Sequence, residues 1–147
     1  MGYAITTLAL IFLLIAGNVQ IRESSRYERQ GTQVNADRFA ADMLRLASAV
    51  NDWRYTRQLA DGPLAIGQFG MVPAPDSHIQ MAIQGGRLWI WSADRPGLVD
   101  ALNSQSAGSA LVCTVSAGRL KMSDGTDMNL SLPAPAGVAE GNVVYLN

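Results

Sequence analysis

The side chains best equipped for chemistry in this chain are few and scattered. His78 is its single histidine, so a histidine–carboxylate–serine relay has to run through it, and no serine stands in a G-x-S-x-G setting. A lone imidazole without metal or triad partners is weak evidence for catalysis, and its place at the head of "HIQMAIQ" reads as the start of a strand. Asp124 and Asp127 flank Gly125 without the further acids of a calcium loop, so "SDGTD" reads as a turn. "GQFG" carries neither the lysine nor the following helix signal of a phosphate loop. Cys113 is the single cysteine, which excludes an internal disulfide and a cysteine-built metal site within one chain. Arg22, Arg26 and Arg29 follow the first apolar run and read as a membrane-surface flank. The expectation is no catalytic residue, no cofactor, no metal and no enzymatic activity.

The elements that hold these residues fit 147 positions, room for one modest domain and an appendage. Eleven basic against twelve acidic residues leave a formal charge of −1, which gives no electrostatic footprint for nucleic acid.

The opening "MGYAITTLALIFLLIAGNVQ" has no charged side chain before Arg22. As a helix, roughly 18 residues at about 1.5 Å each reach about 27 Å, near the span of a hydrocarbon core. Thr6 and Thr7 are tolerable there because their hydroxyls can bond carbonyls one turn back. The basic n-region and small-x-small site of a cleaved signal are missing. The reading is a retained transmembrane anchor over 1–21, with Leu8, Leu10, Ile11, Phe12, Leu13, Leu14 and Ile15 contacting membrane lipid. Residues 22–34 form a polar connector or a helix continuation.

Residues 35–147 read as an α+β domain. Phe39, Met43, Leu46, Val50 and Trp53 are spaced four, three, four, three, a one-face helical stripe from about Asn35 to about Ala60. Asn35 is placed as its N-cap, Val34 and Phe39 as a hydrophobic staple, and Gly62-Pro63 as its stop. The stripe lies on the domain's own sheet or on a coiled-coil partner. "HIQMAIQGGRLWIW" reads as a hairpin about Gly85-Gly86, with Ile83 facing Leu88 and Met81 facing Ile90. "DRPGLVDALNSQSAGS" is a short helix. "ALVCTVSAGRLKM" is a second hairpin, with Val115 against Leu120 and Cys113, a core residue, against Met122. "MNLSL" and "NVVYLN" supply further strands. Trp89 and Trp91, with Arg87 on the same strand face, form either a covered face or a partner-contact ledge.

The opening "MGYAITTLALIFLLIAGNV", the "ADRFAADMLRLASAVNDW" helix and the "GRLWIW" hairpin together resemble the PilM proteins of plasmid-type, type IVb thin-pilus operons. The same name is used for an unrelated actin-like pilus protein, for which this chain is too short and lacks the nucleotide motifs. The resemblance implies a component of type IVb pilus biogenesis or conjugation machinery. It places the chain at the bacterial inner membrane, single-pass, with the C-terminal domain periplasmic. The partners implied are pilin or pilus assembly proteins, with a homo-oligomer possible. The alternative is a minor pilin or pseudopilin-like subunit. The order of elements is pilin-like and Gly2 precedes Tyr3, but Thr7 stands where a pilin carries glutamate.

Overall fold

The computed structural model describes residues 2–109, 111–131 and 134–147, with side chains at all of these except 18–24 and 129–131. The fold is α+β. Helix α1 covers Gly2–Thr56 and is followed by β1 (Gly62–Leu64), a 3-10 turn (Ile66–Phe69), β2 (Gln80–Gln84) and β3 (Arg87–Ala93). Then come α2 (Leu98–Gln105), β4 (Val112–Ser116), β5 (Arg119–Met122), β6 (Asp127–Ser131) and β7 (Asn142–Leu146). Two compact units result, Met1–Val34 and Asn35–Asn147.

In the first unit the helix opens with an apolar, exposed stretch. Thr6 and Thr7 Oγ1 donate to the Tyr3 carbonyl at 3.0 and 2.7 Å, so their hydroxyls are satisfied within the helix. Among the described residues, however, no helix is long and apolar enough to cross a membrane. That overturns the transmembrane anchor expected over 1–21 and the single-pass inner-membrane placement with a periplasmic domain. Among the residues with described side chains, Gly2, Thr6, Thr7 and Gly17 interrupt the apolar run. Leu8, Leu10, Ile11, Phe12, Leu13, Leu14 and Ile15 thus lose the lipid-anchor role and stand as exposed apolar side chains.

Residues 22–34 fall inside α1, and so does Asn35, which is therefore no cap. Val34 is 64% exposed and staples nothing. No proline occurs before Pro63, and the lone Gly31 costs only about 1 kcal/mol, too little to break a helix held further along by packing.

In the second unit that packing is the predicted stripe. Ala36, Phe39, Ala40, Met43, Leu46, Ala47 and Val50 are buried with Ile79, Met81, Ile83, Leu88, Ile90, Val112 and Val143 of the sheet and with Leu98 and Leu102 of α2. Each large side chain buried there contributes about 1.5–3 kcal/mol. The stripe lies on the domain's own sheet. It ends on Trp53, whose ring meets Phe69 edge-on at 5.5 Å while the Arg57 guanidinium sits 4.5 Å from its centroid.

The sheet has seven antiparallel strands in the order β1-β2-β3-β7-β4-β5-β6. Both hairpins hold the expected register, Ile83↔Leu88 with Met81↔Ile90 and Val115↔Leu120 with Cys113↔Met122. The last strand in sequence, β7, lies between β3 and β4. That central place explains its unbroken apolar run: Val143 faces the α1 side while Val144 and Leu146 face the other. Gly62-Pro63 does follow the helix end, but it also forms the edge strand β1, paired to β2 through Leu64↔Met81.

Candidate functional site

The second sheet face carries the two tryptophans. Trp89 is 6% and Trp91 3% exposed, and with Ala82, Cys113, Val115, Leu120, Val144 and Leu146 they form a core of their own. Ala134 and Val138 pack on it. Trp91 Nε1 donates to the Gly137 carbonyl at 3.2 Å and Trp89 Nε1 to the Gln84 carbonyl at 3.4 Å. No exposed ledge is formed, so Trp89 and Trp91 are withdrawn as partner contacts. Two indoles contribute enough apolar area to build a core once residues of 134–138 pack across them. Arg87 is exposed at the start of β3.

The remaining chemistry-bearing residues hold turns and loops. His78, with its side chain 73% exposed, places Nδ1 2.7 Å from Asp76 Oδ1, which also accepts the His78 amide at 2.9 Å. That backbone hydrogen bond, more than any other contact, holds the Asp76 carboxyl below its ordinary value. Asp42, buried on α1, accepts Arg45 Nη1 at 3.2 Å on one oxygen and the Asp76 amide at 3.1 Å on the other. Asp124 accepts the Thr126 amide at 2.8 Å, which lowers its pKa, and Asp127 takes Arg119 Nη1 at 2.6 Å. The Cys113 thiol is fully buried, donates to Met128 Sδ at 2.9 Å and is pushed up to about 11 by burial. "GQFG" closes the 3-10 turn on a left-handed Gly70. Among the described residues no group of three or more His, Cys, Asp or Glu is placed to hold a metal ion.

Two of the open surfaces among the described residues bear on function. A polar cleft of about 330 Å³ collects Arg38, Asp42, Asp76 and Arg95, with the Arg95 guanidinium 4.0 Å from the Phe39 ring centroid. Both acids in it are already hydrogen-bonded within the chain, so it is chiefly a seam tying the 73–78 loop to α1. The second surface is an open groove of about 420 Å³ at the β1 edge, where Pro63, Leu64, Ile66, Pro75, Ile79 and Met81 converge. It exists because β1 is three residues long. β1 stops opposite Met81, so Ile79 and Gln80 run on past its end. Pro63 has no amide to offer, which blunts this edge against open-ended strand pairing. Side-chain burial, not a backbone ladder, is what the groove can supply. The alternation of "HIQMAIQ" predicted Ile79 and Met81 on one face, but nothing in sequence showed that Ile66 and Pro75 would meet them.

The second half of a long helix laid on one face of a seven-stranded antiparallel sheet, with an apolar groove at the strand edge, defines a small helix-on-sheet α+β protein. The chain belongs to the PilM family, whose sequence profile matches residues 10–146. A crystal structure of protein PilM from Escherichia coli B7A is similar, with a TM-score of 0.63 and 32% sequence identity over 78% of this chain and 92% of that one. No curated protein matches. Family membership ties the chain to pilus biogenesis and to pilus-related partners.

Proposed function

We propose that the chain is a non-enzymatic component of a type IVb pilus or conjugation apparatus that docks a pilin or an assembly-platform protein in the groove beside β1. The observation that carries this reading is the groove itself: half-buried Leu64 and Ile66 line it at the end of a blunted edge strand, beside the buried Ile79 and Met81. The non-enzymatic part is supported by the employment of the polar side chains, since Asp42, Asp76, Asp124 and Asp127 each hold a backbone amide or an arginine. Two or three partner side chains buried in the groove contribute about 1.5–3 kcal/mol each. Association itself costs about 4–15 kcal/mol, so the groove sets specificity and further contacts supply the rest. Leu64→Ala and Ile66→Ala are expected to abolish piliation while lowering thermal stability only modestly, since both side chains are half-buried against the core; full piliation in both variants overturns the reading.

A minor pilin-like subunit is the second reading, favoured by α1 beginning with exposed apolar residues and continuing as the helix that covers the sheet. It requires the chain in sheared filaments with Tyr3 as its first residue. A chain absent from filaments dismisses it.

A further inference from the structure

We infer that the polar cleft beside the groove receives an acidic side chain, Asp or Glu, of the same partner segment that fills the groove, and that Arg38 and Arg95 grip it. The inference rests on the docking reading and names one of the further contacts that reading needs. The two sites are continuous. Residues 74–77 are their common wall: Ala74 and Asp76 line the cleft, while Pro75 and Ser77 line the groove. A third hollow of about 250 Å³ joins them, sharing Gln80 and Trp91 with the groove and Arg95 with the cleft. A segment that leaves the groove over Gln80 enters the cleft past Arg95.

Charge identifies what the cleft takes. Asp42 gives one oxygen to Arg45 Nη1 at 3.2 Å and the other to the Asp76 amide at 3.1 Å. Asp76 Oδ1 accepts the His78 amide and lies 2.7 Å from the His78 ring nitrogen. The side chains of Arg38 and Arg95 form no hydrogen bond or ion pair among the described residues, which include every carboxylate of 35–147. Arg95 is half-buried, 4.0 Å over the Phe39 ring, a contact that positions the guanidinium without engaging a carboxylate. With Arg45 counted, three guanidiniums meet two carboxylates, an excess of one positive charge. A carboxylate brings one negative charge and accepts two parallel bonds from a guanidinium fork. A phosphate monoester brings about −1.5 to −2, more than the excess, past two fixed carboxylates.

The test uses the full chain in cells that assemble pili, with a photo-cross-linking residue at Ile66. The partner segment in the adduct should carry an Asp or Glu. Arg38→Glu combined with Arg95→Glu should lower the adduct yield about tenfold or more. Changing the acid of the segment to Lys should restore the yield in that double variant and lower it with the unaltered arginines. Arg38 is exposed and holds no other side chain, so Arg38→Glu alone should keep the fold, read by thermal unfolding, and still lower the yield. Absence of any adduct from Ile66 in the otherwise unaltered chain overturns the docking reading and this inference with it. A normal adduct whose yield is unchanged in Arg38→Glu and in the double variant overturns this inference alone. So does a partner segment without an acid, or a charge exchange that restores nothing.

Discussion

Trp91 is roofed by Gly137. The indole Nε1 donates to the Gly137 carbonyl at 3.2 Å, and a Cβ built on Gly137 would lie 3.4 Å from the ring and 3.0 Å from Gln80 Oε1. Gly137 has φ +101°, which L side chains rarely adopt. Gly137→Ala should therefore cost about 1–3 kcal/mol, mostly from the backbone, because the end of Gln80 can move aside. Trp91→Ala should cost about 3–5 kcal/mol through the cavity it opens. Urea unfolding of both variants checks this; a Trp91→Ala protein of wild-type stability would restore the tryptophans as a surface feature.

The hairpin turns are clasped from a distance. Asp61 accepts the Gly85 and Gly86 amides at 3.0 and 3.3 Å, and Glu140 accepts those of Ala117 and Gly118 at 2.8 and 3.3 Å. Each clasp satisfies two turn amides with one carboxylate. Asp61→Ala and Glu140→Ala should each lower stability by about 1–2 kcal/mol, and the two effects should add because the sites share no partner. Calorimetry of the single and double variants decides it.

The hairpins were the most legible part of the sequence. Their registers follow from alternation and from glycine-containing turns, which are local signals. The α1 stripe was legible for the same reason, its period being set by the helix itself. Three features were not. β1 is too short to alternate, and its Gly-Pro reads equally well as a helix stop. Continuation of the helix through Gly31 and Asn35 is decided by packing further on, not by those residues. The covering of Trp89 and Trp91 by 134–138 and the meeting of Ile66 and Pro75 with Met81 are contacts between segments distant in sequence, which no local pattern encodes.

Acid should weaken the fold through Asp76. Its carboxyl titrates below the unfolded value of 3.8, chiefly because it accepts the His78 amide. A group whose folded pKa is depressed contributes stability that is present above the unfolded value and lost as pH falls through the folded one. The loss should begin near pH 4 and grow below it. Asp76→Asn should flatten that part of a stability–pH profile; an unchanged slope would leave the effect to Asp124, which is lowered by the Thr126 amide.

The Cys113 thiol behaves in the opposite sense. Burial raises it from 9.0 to about 11, so the unfolded chain releases its proton first as pH rises. Stability from this group is intact below pH 9 and declines between about 9 and 11. Cys113→Ala should remove that alkaline decline. A thiol reagent at pH 8 should label wild-type protein only after denaturant is added, since the thiolate is scarce and the sulfur is buried.

Docking in the β1 groove is tested most directly by a photo-cross-linking residue at Ile66 in cells that assemble pili, with adducts identified by mass spectrometry. The groove reading predicts a covalent adduct with a pilin or an assembly-platform protein from Ile66, and none from exposed Arg119 on the distant strand β5. Adducts of equal yield from both positions, or none from Ile66 in piliated cells, would contradict it.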